Sequence, residues 1–334
     1  MRVNKNLITA IDIGDYSIKI IQLRKMSNNI KIVFIKKIVT AGEVVKNGEI
    51  ISRNRIQKYF KKISMMGQSI KKSKLVTTFS NKNLILRNIQ LPLMSKSDIK
   101  QVIKLGISDY IPYSLPEVDF RYCITEKNKD KIKIMLMAVK KNILNSYVKP
   151  FYKEKLKLEV INIQPMALIS LLEYKNQKLS PVIIVNIGFK STSLIIGDNC
   201  TIYLIRTINT GGDDFTREIS RSYGMKYFEA EEFKKIKSEK IDIQLIYNPL
   251  KILIKEIKHA LDFYYLQRTD IEISNLYLTG GGAKITGIIN YLQKNLNLNI
   301  CYLRLIPGLE DNKRNDEFSV AAGLAISEVL TDEN

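Results

Sequence analysis

A pattern of strand, glycine turn, strand, strand occurs twice in these 334 residues, and few architectures accommodate such a repeat. The first copy runs Leu7-Ile-Thr-Ala-Ile-Asp-Ile, a turn at Gly14-Asp15, Ser17-Ile-Lys-Ile-Ile-Gln-Leu, then Ile30-Lys-Ile-Val-Phe-Ile. The second runs Val182-Ile-Ile-Val-Asn-Ile, Gly188, Ser191-Thr-Ser-Leu-Ile-Ile, then Thr201-Ile-Tyr-Leu-Ile-Arg. Short β-branched runs broken by Gly, Asn and Asp are the signal of hairpin-connected strands. Both turns read apolar-x-Ile-Gly with a lysine soon after, Lys19 in one and Lys190 in the other. We therefore expect an internal duplication with a cleft between the halves.

Between the copies, Lys74 to Gln164 reads strand, strand, helix, strand, strand, helix, strand. That is too much structure for a loop, so a small α+β unit is expected to interrupt the first half. Its helices are expected over Lys96–Tyr110, with Ser95 as N-cap and Asp98 in the first turn, and over Lys141–Lys155. A proline-rich turn, Ile111 to Pro116, follows the first of them. A further helix is expected from Ile51 to Met66, stopped by Gly67.

Five segments carry residue types suited to a nucleotide. In the first turn, Asp12 ends a strand and can hold Mg2+ through its water shell. Gly14 admits phosphate close to backbone, Tyr16 follows in the turn, and Ser17 and Lys19 supply donors. Asn186, Gly188, Lys190, Ser191 and Thr192 would form the facing jaw. Gly211, Gly212 and Asp213 open a helix, where backbone donors suit an anion, although an ordinary cap by Asp213 or Asp214 explains them equally. Glu231 and Lys234 share a helix face and could grip ribose and base; an exposed ion pair is the simpler alternative. Gly280, Gly281 and Gly282, followed by Lys284, would let a flat nucleoside lie on bare backbone. Singly these are weak; their order carries the reading.

That order resembles the actin, heat-shock chaperone and sugar kinase superfamily. Within it, segments outside the nucleotide motifs resemble the PilM family of type IV pilus assembly proteins. They are Arg87 to Ser95 with Pro92 and Met94, Tyr110-Ile-Pro-Tyr-Ser-Leu-Pro-Glu-Val-Asp119, Gln164-Pro-Met-Ala-Leu168, Gly211 to Arg217, Ala260 to Tyr264, and Phe318 to Ala325. The resemblance implies an α/β, actin-like fold: two RNase H-like domains with a small α+β insertion in the first half. The domains would be 1–76 plus 164–182 and 318–334, then 77–163 as the insert, then 183–317. It implies ATP and Mg2+ as ligands. It also implies a groove near Ile111, Pro112 and Tyr113 for the N-terminal tail of a PilN-like bitopic membrane protein, with a pilus motor ATPase as a further partner and the oligomeric state open. A rigid turn packing the insert's own core explains those three residues equally.

Two positions depart from the family's pattern. Asn186 stands where Asp is usual, and Gln164-Pro165 where Glu-Pro is frequent. Gln can orient water but cannot act as a base. Slow or absent turnover follows, so the enzyme question stays open. A sugar or acetate kinase would need a base and a substrate cleft. An FtsA-like protein would carry a C-terminal amphipathic membrane helix, which the acidic end Ser327–Asn334 does not resemble. A filament-former of the MreB type would lack the insert.

Bulk properties narrow the partners. The formal net charge is +20, which suits nucleic acid, an anionic membrane or an acidic protein. The lysines are scattered along the sequence apart from pairs such as Lys71-Lys72 and Lys140-Lys141. We read the charge as compositional, and no RNP motif, zinc finger or aromatic-basic array points to nucleic acid. No apolar run approaches the ~18 residues that span a bilayer. Asp12 and Asp15 interrupt the first apolar stretch, unlike a signal peptide. A cytosolic protein that reaches membranes through partners is expected. Cys123, Cys200 and Cys301 lie far apart and His259 is the sole histidine, so neither a zinc site nor a disulfide framework is expected. His259 falls among charges on a helix and is expected at the surface.

Overall fold

The computed structural model describes residues 4–26, 29–46, 48–79, 83–175, 180–198, 201–268, 271–303 and 316–331. Strands β1 (Asn4–Ile13), β2 (Ser17–Lys25) and β3 (Ile30–Val39) form an antiparallel meander. A small hairpin, β4 (Val45–Lys46) and β5 (Glu49–Ile50), leads to helices α1 (Arg53–Met65) and α2 (Gln68–Lys72). Gly67 separates them at φ +143, a conformation that side chains resist. Strand β6 (Ser73–Phe79) then lies parallel to β1.

The next segment is a layered unit of its own. It comprises β7 (Ile85–Pro92), α3 (Lys96–Leu105), α4 (Ile107–Tyr110), β8 (Val118–Lys127) and β9 (Lys131–Lys140), with sheet order β7-β9-β8. The helix expected over 96–110 is two helices, broken at Gly106, whose poor helix propensity ends α3. Ser95 caps α3, accepting from the Asp98 N–H. One face of this sheet packs on α3 and α4 through Ile89, Ile134 and Leu136. The other carries Met135 and Met137 into the core shared by the two halves. At the β8–β9 end, Thr201 Oγ1 donates to the Thr125 carbonyl at 3.0 Å, and Arg268 meets Glu126 at 3.0 Å. The unit thus reaches across to the second half.

Helix α5 (Lys141–Lys153) and β10 (Leu158–Ile163) return to the first half. β10 pairs parallel with β6, giving the sheet order β10-β6-β1-β2-β3. The three-stranded unit is therefore 85–140, narrower than the 77–163 span read from sequence. β10 looks like part of the insert in sequence because its partner β6 lies some 80 residues upstream of it. Helix α6 (Gln164–Lys175) crosses to the second half, where β11 (Val182–Ile187), β12 (Thr192–Gly197) and β13 (Ile202–Ile208) repeat the meander. Then come α7 (Gly212–Tyr223), α8 (Tyr227–Ile236), α9 (Tyr247–Gln267), β14 (Asn275–Thr279), α10 (Ile288–Asn295), β15 (Asn299–Tyr302) and α11 (Ser319–Thr331). The second sheet has order β13-β12-β11-β14-β15. This is the first sheet's pattern strand for strand: a meander, then two parallel neighbours. The duplication is thus a property of the topology as well as of the turns.

Helices α6 and α11 cross between the halves. A Cβ on Gly323 would stand 1.8 Å from the Ala167 carbonyl, so only glycine permits this approach. Ala167, Leu168, Leu171, Ala321, Leu324 and Ala325 are wholly buried there. On the opposite face of the first sheet lie α1 and α5, joined by Phe60 against Phe151 at 4.5 Å.

Candidate functional site: a cleft between two equivalent turns

The turn after β1 closes with the Gly14 N–H donating to the Ser17 carbonyl at 3.1 Å, and the turn after β11 with Gly188 to Ser191 at 2.9 Å. The two turns match residue for residue. Asp12 sits opposite Lys19 across the first hairpin, and Asn186 opposite Ser193 across the second. The lysines that follow the two glycines, Lys19 and Lys190, are therefore not equivalents. Lys190 corresponds to Tyr16, and Lys19 to Ser193.

A cleft of about 450 Å³ lies between the turns. The first turn lines it with Asp12, Gly14, Tyr16, Ser17 and Lys19, and the second with Asn186, Gly188 and Ser191. Gly212, Glu231 and Lys234 come from α7 and α8, and Gly280, Gly281, Gly282 and Lys284 from the loop after β14. Lys190, Thr192, Gly211 and Asp213 do not line it. Thr192 is buried and donates to the Thr210 carbonyl at 2.7 Å. Lys190 turns away to Asp213 at 2.8 Å.

The start of α7 is already satisfied. Gly211 N–H donates to the Asp214 carboxylate, Gly212 N–H to the Gly188 carbonyl and Asp213 N–H to the Phe189 carbonyl, each at 2.9 Å. Asp214 N–H takes the Gly211 carbonyl at 3.1 Å. The helix terminus thus spends its first donors on the second turn, and Asp214 supplies the cap. A Cβ on Gly211 would stand 2.5 Å from the Phe189 carbonyl, so these glycines serve close packing of helix on turn. Asp213 gathers Lys190, Arg217 at 2.9 Å and Tyr227 at 2.5 Å. Burial alone would raise its pKa, but these three partners outweigh it and hold the carboxyl at about 2.

Ammonium groups dominate the rim. Lys19 stands 3.2 Å from Asp12, which is buried. Glu231 and Lys234 meet at 2.7 Å and are 9% and 11% exposed, so they are not the exposed helical pair of the simpler alternative. Lys234 also donates to the Gly212 carbonyl at 2.7 Å and to Thr216. Burial lowers the Lys234 pKa, and Glu231 opposes that shift. Burial also works to raise the Glu231 carboxyl, but Lys234 more than offsets it and the net shift is downward.

Several cleft residues were not read from sequence. Glu317 takes Lys37 of β3 at 2.5 Å and Lys284 at 2.7 Å, bridging the halves. Lys235 donates to the Tyr16 hydroxyl at 3.0 Å, and the Tyr16 and Phe189 rings meet at 4.8 Å. Phe189 lay inside a recognised motif and Glu317 beside the Phe318 segment. Lys37 carried no signal, being one lysine on an alternating strand.

On the inserted unit, Ile111 is buried in that unit's core, and Tyr113 is half-buried with Lys140 Nζ 4.1 Å from its ring centroid. Pro112 alone of the three is exposed. A shallow depression of about 730 Å³ lies beside them, floored by Leu115, Val118 and Phe120 and rimmed by Lys100 and Lys104.

A family model described as type IV pilus assembly protein PilM matches residues 10–327. The chain belongs to the PilM family. The solved structure titled a PilM-PilN type IV pilus biogenesis complex is 22% identical, with TM-score 0.81, over 98% of this chain and 99% of that one. MreB5 of Spiroplasma citri bound to AMPPNP is 12% identical with TM-score 0.59, over 99% and 98%. Cell division protein FtsA of Bacillus subtilis (strain 168) is 22% identical, over 89% of this chain and 78% of its own length. The fold is thus actin-like, as the PilM resemblance implied. Among the described residues, no helix is long and apolar enough to cross a membrane.

Proposed function

We propose that this PilM-family chain is a cytoplasmic scaffold of a type IV pilus, or of a related secretion or competence machine. It holds ATP between its halves and the N-terminal tail of a PilN-like bitopic membrane protein at the inserted unit. That tail brings it to the inner face of the cytoplasmic membrane, and a motor ATPase is its second partner. The observation that carries the reading is the pair of equivalent turns facing each other across a cleft rimmed by lysines.

The residues present suit a nucleotide. A Cβ on Gly281 would meet nothing within 4 Å, leaving open space over bare backbone for a flat base. Lys19, Lys37 and Lys284 offer charge to a polyphosphate. The fit to magnesium is narrower. Among the described residues no three His, Cys, Asp or Glu side chains come together to hold a metal. Asp12 and Asp15 of the first turn line the cleft, with the neutral Asn186 and Gln164. Mg2+ would neutralise phosphate charge there, with Asp12 acting on its water shell. Gln164 orients water without taking its proton, so turnover is slow or absent.

For the tail, the depression floored by Leu115, Val118 and Phe120 is the better site, since Ile111 and Tyr113 serve the unit's own core. A groove of this kind takes a few apolar anchors and needs no chemistry. Calorimetry with Mg-ATP on the wild type and on Asp12→Ala tests the cleft. Binding that Asp12→Ala removes is expected; absence of wild-type binding would sink the nucleotide part. Tail-peptide affinity with and without Mg-ATP tests the switch, because a ligand of the closed form must change it. Equal affinities would refute it.

A further inference from the structure

The lysines that look scattered in sequence converge on one layer. Residues 53–72 hold seven cationic side chains and no acidic one, and residues 141–157 hold five and one, so 37 residues carry +11 of the formal +20. These two segments are α1 with α2, and α5 with the turn after it. They are neighbours in space. Phe60 packs on Phe151, and Gln57 donates to Glu154 at 2.5 Å, which occupies the one carboxylate within the two segments.

The inward faces of both helices are spent on the first sheet, through Ile56, Phe60 and Ile63 of α1 and Tyr147, Val148 and Phe151 of α5. The outward face exposes Lys58, Lys61 and Lys62 on α1, and Lys149 and Lys153 on α5. Among the described residues, Arg55 alone of these exposed cations has a carboxylate partner, Glu43 at 2.6 Å. Two apolar side chains stand among these cations: Met65 is 70% exposed and Tyr152 60%. α1 has 13 residues, about 20 Å of helix.

We propose that the outer face of the α1–α5 layer is a docking surface for an anionic phospholipid bilayer. The charge is complementary, and cations near such a surface each add favourable binding within a Debye length. Met65 and Tyr152 suit the interface, where an apolar body can sink while lysine heads stay in water. A nucleic acid would use the charge but gain nothing from Met65. The choice of occupant rests on the scaffold reading, in which a membrane protein's tail holds the chain at a bilayer. The lipid face would be a second contact, made by the chain itself, that sets its orientation there.

The test uses the full chain without nucleotide or tail peptide. Cosedimentation is measured with vesicles of phosphatidylcholine alone and of phosphatidylcholine mixed equally with phosphatidylglycerol. Binding is expected to the mixed vesicles only, weakening as salt rises toward about 0.15 M. The combined reversal Lys58→Glu, Lys62→Glu, Lys149→Glu and Lys153→Glu is expected to lower partitioning at least about 100-fold. The same number of charges reversed elsewhere, at Lys251, Lys255, Lys258 and Lys294, is expected to cost far less, and circular dichroism checks that both variants fold. Equal binding to neutral vesicles, equal loss in the two variants, or displacement from vesicles by duplex DNA at matched charge would overturn the proposal. Tail-peptide binding without vesicle binding would leave the scaffold reading standing and remove the lipid face; the converse would do the reverse.

Discussion

The two turns that face each other across the cleft share backbone and differ in charge. The first pairs Asp12 with Lys19 inside the cleft. The second puts Asn186 opposite Ser193, and its only lysine, Lys190, is drawn out of the cleft by Asp213. One copy faces the cleft with a carboxylate and an ammonium; the other is neutral there and braced from behind. The repeated topology thus keeps the fold in both places, while the side chains offered to the cleft depend on what the neighbouring helix leaves available.

The brace is the sharpest place to break this contrast. Asp213→Ala leaves Lys190, Arg217 and Tyr227 without their shared acceptor, and a loss of about 3 kcal/mol is expected in urea unfolding. Because its pKa is depressed to about 2 from 3.8, Asp213 contributes its full stability above pH ~4. That contribution falls away as pH drops toward 2. A plot of stability against pH is expected to be flatter over this window in Asp213→Asn than in the wild type; parallel curves would contradict the assignment.

Asn186→Asp restores the charge missing from the second turn. It is expected to raise phosphate release from Mg-ATP about tenfold, near 1.4 kcal/mol of barrier. No change in a phosphate-release assay would mean that Gln164, not Asn186, limits turnover.

The equivalent glycines offer a smaller and more direct comparison. A Cβ on Gly188 would stand 2.8 Å from the Ser191 carbonyl, whereas on Gly14 it would stand 3.2 Å from the Ser17 carbonyl. Gly188→Ala is expected to cost about 1 kcal/mol more than Gly14→Ala, seen as a lower Tm. Equal Tm values would show that the second turn relaxes as easily as the first.

Much of this was legible in the sequence, because a duplicated hairpin is a local pattern. The strands of both meanders and the Ser95 cap could be read from β-branched runs and polar punctuation. What local pattern cannot express is which distant element claims a side chain. Lys190 looks like a phosphate ligand until α7 brings Asp213 beside it. Gly211 looks like an anion site until the Asp214 carboxylate takes its amide. Ile111 looks like a groove residue until α3 and α4 fold over the inserted sheet. The cationic layer was missed for the same reason: its two segments lie roughly 80 residues apart, and each alone is an ordinary helix with a solvated side.

The contact of Glu126 with Arg268 gives the inserted unit a standing that its sequence position hides. A module inserted into one half would ordinarily ride with that half. Here its hairpin end is tied to the other half, while its sheet packs under the shared core. The unit is then a strut pinned at both ends, and a change in the angle between the halves must either bend it or break a pin. Closure of the two halves on a bound molecule would therefore be felt in the inserted unit, far from the cleft itself.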